Sequence, residues 1–110
     1  MKLVVHFYAT ATGAEPVREW LRSLPAEERK IIGEDIKTVQ FGWPLGLPFA
    51  RKLASGLWEV RSRLPTRIAR VLFAVKDDRM ILLHGFIKKT QQTPAADIRL
   101  AQSRRDFRGE

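Results

Sequence analysis

No cysteine occurs in this 110-residue chain, so disulfides and cysteine-ligated metals are excluded. That absence fits a reducing compartment, and a cytoplasmic protein is expected. Histidine is scarce as well. His6 and His84 are the only two, and no carboxylate motif or metal-ligand spacing connects them. Tyr8 is the single tyrosine. There is no glycine-rich phosphate loop and no dinucleotide fingerprint. No apolar run approaches the roughly 18 residues that a membrane helix needs. The opening segment, Met1 to Phe7, is too short an apolar run for a signal peptide. No cofactor, no metal and no membrane partner are expected.

What the chain does have is positive charge. Twenty Lys and Arg against twelve Asp and Glu give a net +8. The isoelectric point is about 10.6, in the range of nucleic-acid binders. The excess is uneven. Residues 1–48 carry six basic and six acidic residues, whereas residues 49–110 carry fourteen and six. A neutral half joined to a basic half implies a local anion-binding surface. Hydrophobic residues at 45% are enough for one modest core, so a single domain over 1–110 is expected.

Periodicity orders the elements. Leu3 to Tyr8 is apolar and β-branched, as a strand requires, and Thr10 to Gly13 ends it. Pro16 opens a helix whose buried face is Val17, Trp20, Leu21 and Leu24. Pro25 closes it and starts a second helix, with Glu27 and Glu28 near the positive end and Ile32, Ile36 and Val39 as its stripe. Gly42 stops that helix. Residues 42–50 hold two prolines and two glycines and read as a loop packed over the core.

Leu57 to Leu64 alternates, with Trp58, Val60 and Leu64 on one face and Glu59, Arg61 and Arg63 on the other. Arg67 to Lys76 is a second strand and Arg79 to Ile87 a third, joined by a tight turn at Asp77-Asp78. Thr93 reads as the cap and Pro94 as the first residue of a last helix. The charged tail from Arg104 to Glu110 is expected to fray. The order is β-α-α-β-β-β-α, an α+β fold with an antiparallel meander and helices packed against it.

The candidate site residues are the bases of the meander. Arg61 and Arg63 point the same way, being two apart on a strand. Arg70 interrupts the apolar run Ile68 to Phe73, a costly place for a charge that is neither paired nor facing a cleft. Either it meets phosphate or it pairs with Glu59. Lys88 and Lys89 end the third strand, and Arg51-Lys52 precedes the first. Converging Arg and Lys on a sheet make a phosphate cradle. His84 is either structural or a proton carrier. Trp58, Phe73 and Phe86 either fill the core or stack on bases.

These residues carry a resemblance. Leu57-Trp58-Glu59-Val60-Arg61, Arg70-Val71-Leu72-Phe73 and the stretch from Leu83 to Pro94 resemble the HigB-type, phage-derived branch of the RelE toxin superfamily. The resemblance spans nearly the whole chain. It implies a compact RelE-like α+β toxin that cuts mRNA, usually on the ribosome and without a metal. It implies a helix-turn-helix antitoxin encoded next to it as partner, with DNA contacted only through that antitoxin. In such chemistry a base takes the ribose 2′ proton, cations steady the pentavalent phosphate and an acid protonates the leaving oxygen. Carried onto this chain, the resemblance assigns catalysis to Arg61, Arg70, Lys88 and Lys89, and RNA binding to Lys52, Arg63 and Arg67. The tyrosine or histidine that relatives place near the C-terminus has no counterpart in the last helix. A toxin-like module that binds its antitoxin or the ribosome without cutting RNA is the competing expectation.

Overall fold

The computed structural model describes residues 2–106. Eight elements follow in order: β1 (Val4–Phe7), α1 (Pro16–Arg22), α2 (Ala26–Gly42), β2 (Arg51–Ala54), β3 (Leu57–Arg63), β4 (Ile68–Lys76), β5 (Arg79–Ile87) and α3 (Ala95–Asp106). The five strands form one sheet in the order β1-β5-β4-β3-β2. The β2 to β5 stretch is antiparallel throughout, and β1 lies parallel to β5. The expected α+β class and meander are present. The sheet is mixed, however, and it has one strand more than the periodicity suggested.

Alternation along the strands sends two sets of apolar side chains to opposite faces. One face carries Val60, Ala69, Val71, Phe73, Met80 and Leu82, and it packs under α1 and α2 through Val17, Ile32, Ile36 and Val39. The other carries Leu57, Leu72, Ala74 and Leu83 and packs under α3 through Ala101 and Ile98. Helices on both faces explain why β4 is buried continuously from Ala69 to Ala74. Phe73 is fully sealed, and burying such a side chain contributes about 1.5–3 kcal/mol relative to leaving it in water. Trp43, just past α2, meets Trp58 and Phe73 edge-on at 4.9 and 5.7 Å between ring centroids.

Local chemistry sets the joints. β4 and β5 pair Lys76 with Arg79, which leaves Asp77-Asp78 as a two-residue turn. Asp77 takes φ 57°, a backbone that Asp tolerates better than most side chains. Gly85 of β5 has no side chain because the indole of Trp20 from α1 lies against its Cα, in the space a Cβ would fill. The part of the C-terminal tail that lies in α3 is pinned rather than frayed. Arg104 donates to the Leu83 carbonyl at 2.8 Å and Arg105 to that of Ser55 at 2.6 Å. Residues 107–110 of that tail lie outside the described residues. Among the described residues, no helix is long and apolar enough to cross a membrane.

Candidate functional site

Register decides which bases share a face. Arg61 pairs with Arg70 across β3 and β4, Arg70 with Phe86 across β4 and β5, and Arg51 with Glu59 across β2 and β3. Directly paired residues project to the same side of a sheet. The α3 side of the sheet therefore carries Arg51, Arg61, Arg63 and Arg70. Lys88 extends the ladder past β5, its N–H donating to the Ile68 carbonyl at 2.7 Å, and falls on that side too. Beyond the covering helix all of these but Arg63 line a cleft of about 290 Å³, with Arg51, Arg61, Arg70, Lys88 and Gln91 on its walls. Among the described residues, Glu59 is the one carboxylate in the lining, and Leu47, Pro48 and Phe49 form its outer rim.

Arg70 and Glu59 are both about 2% exposed. Their charges are tolerable there because they meet each other and neutral partners at both Arg70 Nη atoms and at the Glu59 carboxylate, although Arg70 Nε is buried without a hydrogen-bond partner. Arg70 Nε stands 3.5 Å from Glu59 Oε1. Its Nη1 donates to Thr93 Oγ1 at 2.8 Å and its Nη2 to the Gln91 carbonyl at 2.7 Å. The Thr93 hydroxyl passes its own hydrogen to Glu59 at 2.6 Å. Arg70 thus pairs with Glu59, one of the two alternatives the sequence left open, and it also holds the 88–93 loop. Thr93, expected as a helix cap, has its hydroxyl committed to this network instead.

Lys88 is half-buried, and its Nζ reaches Gln91 Oε1 at 3.3 Å. Burial holds its pKa below the ordinary 10.5, and the charges of Arg61, Arg70 and Arg63 lower it further, against a smaller opposing pull from Glu59. A lysine in such a cluster gives up its proton more readily than a free one. Arg61 and Arg63 are exposed and make no ion pair among the described residues.

The other expected RNA contacts are dispersed. Lys52 pairs with Trp58, not Glu59, so it points to the α2 side, with Nζ 5.9 Å from the Trp58 ring centroid. Its neighbour Arg51 is the residue that enters the cleft. From sequence, Arg51 and Lys52 are placed only as preceding the meander, because nothing in Arg51–Ala54 marks a strand. Arg67 is held by Glu28 of α2 through two bonds of 2.9 and 2.6 Å. This pairing pulls the Glu28 pKa down and the Arg67 pKa up, and it ties the β3–β4 turn to α2. Lys89 lies outside the cleft, in an adjoining open trough with Thr66, Arg67 and Thr90 that shares Lys88 and Gln91 with it. His84 bonds Asp97 of α3 at 2.7 Å and stacks on Phe86, fastening α3 to β5.

This arrangement can bind a phosphodiester, concentrate cation around it and offer both a carboxylate and an acidified ammonium. Among the described residues, no three His, Asp or Glu side chains converge where they could share a metal ion. No curated protein and no solved structure gives a significant match to the chain. The family described as phage derived protein Gp49-like (DUF891) matches residues 19–106, from α1 to the end of α3. The chain therefore belongs to the Gp49-like family of phage-derived proteins, a RelE/HigB-like toxin family associated with the toxin modules of toxin–antitoxin pairs.

Proposed function

We propose that this protein is an endoribonuclease toxin of the HigB type that cuts mRNA on the ribosome and is neutralised by a helix-turn-helix antitoxin. The observation that carries the reading is the one-sided convergence of Arg51, Arg61, Arg70 and Lys88 around a cleft whose single acid among the described residues is Glu59. Protein surfaces that bind RNA backbone need such a cluster, and a transferring phosphate gains most from cations already in place.

In this mechanism Arg51 and Arg61 grip the scissile phosphate. The ribose 2′ oxygen forms a bond to phosphorus while the bond from phosphorus to the 5′ oxygen breaks. Glu59, at the cleft floor, accepts the 2′ proton. Lys88 gives its proton to the departing 5′ oxygen, a task suited to a lysine of lowered pKa. The products are a 2′,3′-cyclic phosphate and a free 5′ hydroxyl. Arg70 adds charge from below and keeps Glu59 and the 88–93 loop in place. Arg63, and Lys89 with the trough it borders, carry the RNA onward. The whole described chain serves this one purpose as a single domain.

Expression in a bacterial host tests the reading. Growth should stop, and primer extension should show new mRNA 5′ ends within translated frames. Co-expression of a small helix-turn-helix protein from the neighbouring gene should restore growth. Ribosome association without new ends would favour the non-cutting alternative.

A further inference from the structure

We infer that the small depression between α2 and the 47–49 turn is a nucleobase subsite that takes guanine. The inference rests on the RNA-cutting reading and adds to it a sequence preference.

The depression measures about 110 Å³ and is lined by Asp35, Thr38, Pro48, Phe49 and Arg61. Arg61, Pro48 and Phe49 also line the main cleft. The two spaces share one wall, so a phosphate held by Arg61 in the cleft leaves its neighbouring base beside the depression. β2 begins opposite Glu59, so β3 has no strand partner on that side at Arg61. This gap lets the Arg61 side chain serve both spaces.

Phe49 is 47% exposed, so one side of its ring is open to a stacking partner. Its backbone is held. The N–H groups of Phe49 and Ala50 both donate to the Gly46 carbonyl, at 3.0 and 3.1 Å, and Ala50 is anchored at 2% exposure. An exposed ring on an anchored backbone beside a phosphate-binding group is a stacking platform for an unpaired base.

The depression's polar edge is made of acceptors. Asp35 has no ion pair or side-chain hydrogen bond among the described residues. Thr38 already gives its hydroxyl hydrogen to the Glu34 carbonyl at 3.1 Å, which leaves its oxygen to accept. Two acceptors select a donor edge. Guanine alone presents two adjacent donors, N1–H and the N2 amino group, spaced to meet both oxygens of one carboxylate. Uracil brings two carbonyls that Asp35 would repel, and adenine and cytosine bring a ring acceptor beside their amino group. The carboxylate also keeps phosphate out of the depression, so backbone and base are sorted to their own sides of Arg61.

Short 2′-O-methyl RNAs, which cannot be cut, provide the probe. Oligonucleotides with guanine, inosine or adenine at one position should be compared by fluorescence polarisation. Guanine should bind about fivefold or more tighter than inosine, which lacks the N2 amino group. Asp35→Asn should erase that difference, and Phe49→Ala should weaken all three. Cleavage sites mapped in translating mRNA should share guanine at one fixed position, and Asp35→Asn should scatter them. Equal binding of guanine and inosine, with an unchanged cleavage spectrum in Asp35→Asn, would overturn the subsite and leave the nuclease standing. No RNA binding and no cleavage would overturn both.

Discussion

Glu59 and Arg70 meet at 3.5 Å with each side chain 3% exposed or less, and together they join β3, β4 and the 88–93 loop into one unit. A buried pair of this kind costs much when broken, because the remaining charge is stranded. Arg70→Ala and Glu59→Ala should each lose about 3–5 kcal/mol of stability in urea denaturation. The double variant should lose less than the two losses combined. Loss of toxicity in Arg70→Ala alone would therefore reflect a displaced loop as much as a missing phosphate ligand. Arg61→Ala, at an exposed position, is the cleaner test.

Arg51 and Lys52 separate two faces of the sheet. Arg51→Ala should slow RNA cleavage about tenfold or more, in line with the loss of a hydrogen bond to a charged group. Lys52→Ala should leave the rate within about twofold, since that side chain lies over Trp58 on the other side. Single-turnover cleavage assays on the two variants check this directly. Equal losses would mean that RNA reaches both faces.

This pair also shows what the sequence conceals. The long strands β3, β4 and β5 are legible because alternation and the Asp77-Asp78 turn persist over many residues. β2 is four residues long, follows a Pro-rich loop and reads Arg-Lys-Leu-Ala, with no alternation to find. Without that strand the parity of Arg51 and Lys52 is invisible, and the wrong neighbour looks equally good. Glu28 and Arg67 lie far apart in the chain with no local pattern to link them, so Arg67 reads as free. Arg70 is the reverse case. Its place in an apolar run announces that it must be paired or face a cleft, and the structure supplies Glu59, Thr93 and Gln91 as partners.

Lys88 gives the reaction a pH signature. Burial and the nearby arginines lower its pKa from the ordinary 10.5. If Lys88 donates the proton to the leaving oxygen, the rate falls as pH rises through that lowered value. Lys88→Arg keeps the charge but holds its proton, so the alkaline fall should vanish and the rate drop about 10²–10⁴-fold. Stability responds with the opposite sign. The folded state binds the Lys88 proton less tightly than the unfolded state does, so Lys88 is a cost at neutral pH. That cost is relieved as pH climbs from the folded pKa toward 10.5. Lys88→Met should therefore be more stable than the parent at pH 7, with the gap closing in alkali, as read by denaturation at several pH values.

Gly85 tests the fold independently of the site. A methyl group there collides with the Trp20 indole, and such overpacking costs about 1–3 kcal/mol. Gly85→Ala should lower the urea midpoint by that amount, and adding Trp20→Leu should recover part of the loss. An unchanged midpoint in Gly85→Ala would mean that α1 is not seated on β5 as described.

In the proposed reaction the Arg51, Arg61, Arg70 and Lys88 face, with Glu59, directs a ribose 2′ oxygen against its own phosphate. Mass spectrometry of the RNA fragments released from translating ribosomes reads that chemistry from the ends it leaves. The expected products carry a 2′,3′-cyclic phosphate on one side and a 5′ hydroxyl on the other, and they disappear with Arg61→Ala. Fragments ending in a 3′ hydroxyl and a 5′ phosphate, or cleavage that survives intact in Arg61→Ala, would rule out attack by the 2′ oxygen at this face.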